Sequence, residues 1–282
     1  MSQFNQNLYD SITDAWQFVL GSNFHYGHFE SGNETLLTAT INLIDKLSEL
    51  SEIKKHDTIL DVGCGIGQPA FHLHRKYKCH ITGISISRRG VNLANETAEN
   101  QECDQSVRFL QRDALDNGFP SACFNLIWQM ESSHLIRDKQ KLFSENFRVL
   151  KNGGRLLLCD LILVNDFTFA DLVKYKSELE ILEKSFGKAK METLDYYKQA
   201  LQEAGFSGIK TIDISEKVMP TPRHWKTNML RNKSKILNCI EMKQYENLLR
   251  SCDIIDAFFK NHILGYGLIS AAKAEKDNNA SG

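Results

Sequence analysis

The chain has 282 residues, 42% hydrophobic and 24% charged, which suits a globular protein large enough to bury a sizeable core. A formal net charge of −1 supplies no basic field for nucleic acid and no polybasic patch for anionic lipid. No apolar run nears the roughly 20 residues of a membrane span, the start MSQFNQNLYDS lacks the features of a signal peptide, and seven cysteines without a CxxC pair read as reduced thiols of a cytoplasmic protein with no metal site.

In chain order, an aromatic, helical N-terminal segment is followed from about residue 57 by alternating strands and helices. TILDVG (58–63) predicts a strand and QPAFHLHRKY (68–77) a helix; HITGISI (80–86) and SRRGVNLANETAEN (87–100) repeat the pair. VRFLQRDA (107–114) is a third strand and FNLIWQM (124–130) a fourth. RDKQKLFSENFRVLK (137–151) is a helix closed by Gly153 and Gly154, and RLLLCDLIL (155–163) is a fifth strand. Apolar strands alternating with helices predict an α/β fold, a doubly wound, mostly parallel sheet. Residues 164–192 read as helical, 192–206 as an amphipathic helix, 209–215 as strand six and 265–274 as strand seven, with a helical stretch from MPTPRHW (219–225) to about 261. The whole reads as one domain over 1–282, with a helical cap from about 1–30, 164–192 and 219–261, and the polar end EKDNNASG is expected to fray.

LDVGCGIGQPA (60–70) is a strand running into a glycine-rich turn and a helix. Ligands of open α/β sheets bind at the carboxyl ends of the strands. Gly65, Gly67 and Ala70 fit the loose dinucleotide pattern GxGxxA, in which a pyrophosphate rests on the helix N-terminus. Asp61 would repel a pyrophosphate but suits an α-ammonium. Strand two ends in TGISIS, without the carboxylate that a ribose would be expected to meet.

Asp61-x-Gly63-x-Gly65-x-Gly67 resembles motif I of class I S-adenosylmethionine-dependent methyltransferases. The TGISIS, QRDA (111–114), RVLKNGGRLLLCD (148–160) and YYKQALQEAGF (196–206) stretches are similar to elements of one group: the rebeccamycin-type sugar O-methyltransferases and the tocopherol methyltransferases. So is the N-terminal LYDSITDAWQFVLGSNFHYGHF. The resemblance spans about residues 8–272 and implies a seven-stranded Rossmann-like fold. It also implies S-adenosylmethionine as cofactor, held by Asp61, Gly63, Gly65, Gln68, Ser85, Ser87, Asp113, Ala114 and Gln129, with Asp113 accepting from the adenine amino group. Met130 would be cofactor wall.

Methyl transfer to a hydroxyl needs alignment, exclusion of water and a base. If strand four neighbours strands one and five, then residues 129–134 and Asp160 share the edge where the methyl donor lies. The resemblance places a histidine and an acid at positions matching His134 and Asp160. These two are the catalytic candidates, His134 as general base and Asp160 as its orienting partner; ordinary loop roles are the alternative. Glu131 reads as structural or as a wall of the site. His25, Tyr26 and His28, and in the cap Arg223, His224 and Trp225, are candidates for contact with a small-molecule acceptor, packing being the alternative; His25, Tyr26 and Trp225 are the ones assigned to it. Tyr9, Trp16, His72 and His74 read as packing or surface residues. The apolar cap suggests a rather hydrophobic metabolite, methylated on oxygen by preference, then carbon, then nitrogen. A protein of this fold catalysing a cyclisation is the alternative. No metal is expected, and a homodimer is the candidate assembly.

Overall fold

The computed structural model describes residues 3–275; most of the polar end expected to fray lies outside them. The elements run α1 (Gln3–Leu20), α2 (Leu36–Ser48), β1 (Thr58–Val62), α3 (Gln68–Tyr77), β2 (His80–Ser85), α4 (Arg88–Asn100), β3 (Val107–Gln111) and β4 (Phe124–Met130). A single 3-10 turn (Ser133–Leu135) leads into α5 (Lys139–Val149), β5 (Leu150–Leu163), α6 (Phe169–Lys174), α7 (Lys176–Phe186), α8 (Leu194–Glu203) and β6 (Ser207–Asp213). The chain continues through α9 (Ser215–Val218), α10 (Thr221–Arg231), α11 (Lys233–Leu237) and α12 (Met242–Lys260) to β7 (Leu264–Ala272).

The seven strands form one sheet in the order β3-β2-β1-β4-β5-β7-β6. The first five are parallel, and β7 runs antiparallel between β5 and β6. Helices cover both faces, which is why β1, β4 and β5 read as near-continuous apolar runs with no polar-out alternation. From β1 the order reverses, β2 lying on one side and β4 on the other. The crevice at such a reversal is where open α/β sheets bind ligands.

Several helix starts are fixed by side-chain caps. Ser87 Oγ accepts the Gly90 N–H at the head of α4, Asp138 accepts the Lys141 N–H at the head of α5, and Thr193 caps α8. At α3 the entry is instead Gly67 in the left-handed region (φ +80) followed by Pro69 near the helix start.

Several boundaries differ from the sequence reading, most by one to three residues. The third strand ends at Gln111, because Asp113 turns back on itself by accepting the Leu115 N–H. The fifth strand begins at Leu150, pairs there with Phe124, and shifts register across KNGG before resuming at Arg155. The glycines expected to close a helix therefore form an irregularity inside a strand. Residues 164–192 hold two short helices, α6 and α7. Helix α2 was not anticipated; it starts at a Thr35 cap and buries Leu43, Ile44 and Leu47.

Helix α1 packs on α10, α4 and α11, while α12 packs on α7 and α10. Aromatic contacts knit this layer together: Tyr9 to Trp16 at 4.8 Å, Tyr26 to Trp225 at 4.7 Å and Tyr175 to Phe258 at 5.2 Å between ring centres.

Candidate active site

At the carboxyl ends of β1, β2 and β4 the structure encloses a cavity of about 880 Å³. That is the upper end of the usual range for small-molecule sites and leaves room for two ligands. Its floor is the turn after β1, with Asp61, Gly63, Gly65, Gly67 and Gln68. Gly63 has φ +86, and a Cβ there would overlap the side chain of Ser132. Gly67 has φ +80, and a Cβ there would sit 2.5 Å from the Phe109 ring. The turn is therefore glycine-built for backbone shape and for close approach. Gly63→Ala is expected to destabilise the fold by about 2–4 kcal/mol and to weaken cofactor binding at least ~10-fold, read from denaturant midpoints and calorimetry.

Asp61 is 3% exposed, its Oδ2 has no hydrogen-bond partner among the described residues, and burial pushes its carboxyl up to about 7. A buried carboxylate on a cavity floor, missing its donor, fits a ligand that brings a cation or N–H.

Ser85, Ile86 and Ser87 line one side and Arg112 and Ala114 the next. The two serine hydroxyls are already engaged: Ser85 Oγ accepts the Ser87 N–H, and Ser87 Oγ donates to Asp10 Oδ1 at 2.7 Å. Asp10 also accepts the Arg89 N–H at 3.0 Å. Asp10 of α1 thus brings a carboxylate close to the end of strand two without lining the cavity. No local sequence signal marks it, since its partner is 77 residues away.

Two expected cofactor residues are placed otherwise. Gln129 does not line the cavity. It is fully buried, its amide donating to Ser132 Oγ and its carbonyl accepting from Asn146 of α5. Successive strand residues face opposite sides, so Met130 lines the cavity and Gln129 points away. Its contribution is to hold Ser132, which donates to Val62 O and seats against Gly63. Asp113 is exposed and lies between the lining residues Arg112 and Ala114, with Oδ1 capping Leu115.

His134 and Asp160 are brought together. His134 Nδ1 lies 2.5 Å from Asp160 Oδ1, and the His134 backbone N–H donates to Oδ2 at 2.9 Å. Ser133 Oγ also donates to Oδ2, and Leu161 N–H donates to Oδ1 at 2.8 Å. Burial works to raise the Asp160 carboxyl, but the charge and hydrogen bonds of His134, with those of Ser133, hold it below the ordinary carboxylate range. An ionised Asp160 can only accept, so Nδ1 carries a proton towards it, and Nε2 is the ring nitrogen not tied to Asp160. His134 lines the cavity, whereas Asp160 is buried behind it.

His25, Tyr26 and Trp225 line the same cavity from the loop after α1 and from α10. His25 Nδ1 donates to the Tyr26 carbonyl at 2.7 Å, leaving Nε2 a bare acceptor, and burial pushes the ring down to about 4. His25 Nε2, Tyr26 OH and Trp225 Nε1 are all buried without a partner among the described residues. Arg223 lies elsewhere, paired with Asp256, and His224 stacks on Phe29. His72 binds Asp45 and His74 the Cys79 carbonyl, both outside the cavity. Tyr9 and Trp16 pack together and line the cavity as well. Among the described residues no cluster of three or more His, Cys, Asp or Glu is placed to hold a metal, and no helix is long and apolar enough to cross a membrane.

Residues 53–217, more than half the chain, match the family model described as a methyltransferase domain. The chain belongs to this family. A 27-O-demethylrifamycin SV methyltransferase of Amycolatopsis mediterranei (strain S699) is 31% identical over 268 residues, which cover 95% of this chain and 96% of the relative. The chloroplastic tocopherol O-methyltransferase of Arabidopsis thaliana is 27% identical over 290 residues, covering 94% of this chain and 80% of the relative. Among solved structures, the [4+2]-cyclase SpnF superposes with a TM-score of 0.82 at 22% identity, with 96% of each chain covered, and this likeness speaks for the fold. The protein is a small-molecule methyltransferase that uses S-adenosylmethionine, and the dinucleotide reading of the glycine turn is set aside.

Proposed function

We propose that this methyltransferase acts on an oxygen of a small, mostly apolar acceptor, with His134 as general base and Asp160 as the residue that fixes its tautomer and orientation. The observation that carries the reading is the 2.5 Å contact between His134 Nδ1 and the buried Asp160 carboxylate, at the wall of the cavity. S-adenosylmethionine supplies an electrophilic methyl group on a sulfonium. The chain's own residues do the rest. His134 Nε2 takes the acceptor's hydroxyl proton, and Asp160 stabilises the imidazolium that results. Met130 serves as cofactor wall, and His25, Tyr26 and Trp225 border the acceptor. The segments 1–30, 164–192 and 219–261 act as a cap that keeps water out.

Asp61, Gly63, Gly65 and Gln68 would hold the methionine end of the cofactor, and Ser85, Ser87 and Ala114 the nucleoside. If Asp61 meets the α-ammonium, cofactor binding favours its ionised form. Affinity is then expected to weaken as pH falls through about 7, where Asp61 gains a proton that binding must release. Calorimetry in buffers of different ionisation enthalpy reads that proton; no release near pH 6 would remove Asp61 from the role.

The test of the function itself is incubation with S-adenosylmethionine and an acceptor panel, reading S-adenosylhomocysteine and a gain of one methyl on oxygen. Methylation on carbon instead, or conversion of a bound acceptor without S-adenosylhomocysteine, would refute the reading.

A further inference from the structure

Glu131 stands one residue past β4 with φ +49, a left-handed backbone that a glutamate adopts at a cost. Its carboxyl is half anchored. Oε1 accepts the Tyr26 backbone N–H at 2.8 Å and the Tyr266 hydroxyl at 2.6 Å. Oε2 has no partner among the described residues, and the side chain lines the cavity. The two anchors come from the loop after α1 and from β7, so the carboxyl is held from both sides with one oxygen open.

We infer that Glu131 presents Oε2 as a hydrogen-bond donor to a second oxygen of the acceptor, within a few bonds of the one that is methylated. The inference rests on the reading of His134 as base to an oxygen acceptor and narrows the substrate class: an apolar body with two neighbouring oxygens, the second offering a lone pair as a carbonyl, ether or hydroxyl.

The placement of the proton follows from the geometry. Oε1 takes the Tyr26 N–H, which can only donate, and the Tyr266 hydroxyl, which also lies 3.3 Å from Cys159 Sγ, so Oε2 is the oxygen left open for the carboxyl proton. The groups facing Glu131 are Tyr26, Tyr266, Cys159, Asp160 and, from α1, Tyr9. Of these, Asp160 is the ionised one and disfavours a second negative charge. Burial, with Asp160, pushes Glu131 up to about 8 against the pull of its two hydrogen bonds. A neutral carboxylic acid kept as a donor in an apolar site is an established device. Glu131 and His134 lie three positions apart, their Cα atoms at most about 11 Å from each other, and both line the same cavity.

The test is an equilibrium one, on protein saturated with S-adenosylhomocysteine. The probes are 3-methoxy-2-naphthol, whose ether oxygen only accepts, and 3-ethyl-2-naphthol, in which a methylene replaces that oxygen, both followed by their own fluorescence. At pH 6.5 the methoxy compound is expected to bind about three- to tenfold more tightly, the worth of one neutral hydrogen bond. The preference should persist in Glu131→Gln, whose amide donates while its carbonyl still accepts from Tyr26 and Tyr266. It should vanish in Glu131→Ala. In the unaltered protein it should decline as pH rises through about 8, where the donor proton is lost. Equal affinities at pH 6.5, failure of both probes to bind, a preference flat with pH, or one that survives in Glu131→Ala overturns the inference. If Glu131→Ala does not fold, the pH series on the unaltered protein decides. The measurement involves no turnover. A failed base role for His134 therefore leaves the preference standing, and a missing preference leaves dependence of S-adenosylhomocysteine formation on His134 intact.

Discussion

Replacing His134 by alanine is expected to lower turnover about 10²–10⁴-fold, the usual worth of a positioned general base, while S-adenosylmethionine affinity stays within about threefold. The split follows from the geometry. His134 meets the cavity with Nε2 and is tied behind by Asp160, and it makes no hydrogen bond to the glycine turn that floors the cofactor side. Losing the ring removes the proton acceptor and leaves Asp61, Gly63 and Ser132 in place. Single-turnover kinetics on acceptor, with calorimetry on the cofactor, separate the two quantities. Turnover within threefold of the unaltered protein would end the base assignment.

Asp160→Asn should be nearly as damaging to turnover, for a different reason, and should also destabilise the fold. Four donors converge on the two carboxylate oxygens: His134 Nδ1 and Leu161 N–H on Oδ1, Ser133 Oγ and His134 N–H on Oδ2. An asparagine offers one accepting oxygen and one donating NH₂, so one side now sets donors against donors. If the NH₂ meets the imidazole, Nδ1 must accept and the proton moves to Nε2, which then cannot act as base. We expect a turnover loss of about 10²–10⁴-fold and a stability loss of about 2–5 kcal/mol from unpaired buried donors. The pH dependence has a defined sign. The Asp160 carboxyl is held below its ordinary value in the folded chain, so its contribution to stability is present above the unfolded value of about 3.9 and is lost as pH falls through the lower folded value. Asp160→Asn should lack that acid-sensitive component in denaturant midpoints measured from pH 7 downward. Combined with His134→Ala, the turnover losses should be far from additive, because the two residues act as one unit.

The parts of this molecule that were legible in its sequence are those where pattern and chemistry are local. The strand–glycine–helix run at 58–77 and β4 at 124–130 lie where periodicity puts them, and the doubly wound, mostly parallel sheet followed from the alternation of strands and helices. His134 and Asp160 could be paired in advance because parallel neighbours bring their carboxyl ends to one edge. What was not legible depends on register or on long-range contact. Gln129 and Met130 are adjacent in the chain but face opposite sides of β4, so only Met130 lines the cavity. Asp10, midway along α1, meets Ser87 just past β2 across 77 residues of chain, and Glu131 gains its meaning from Tyr26 and Tyr266, 105 residues before it and 135 after it. The register shift at KNGG reflects a strand that starts early to pair with Phe124, a tertiary demand overriding the usual glycine stop.

The antiparallel β7, inserted between β5 and β6, also sets a timetable for synthesis. β6 pairs with β7 and with no other strand, and β7 begins at Leu264, about 50 residues after β6 ends at Asp213. At ribosomal rates of about 5–20 residues per second, β6 has no partner for roughly 3–10 s, and the edge of β5, about 100 residues ahead of Leu264, stays open for roughly 5–20 s. During that interval the nascent chain carries unpaired backbone that a chaperone or a neighbouring nascent copy can occupy. The wall holding Asp160 is made early, but its outer support arrives last.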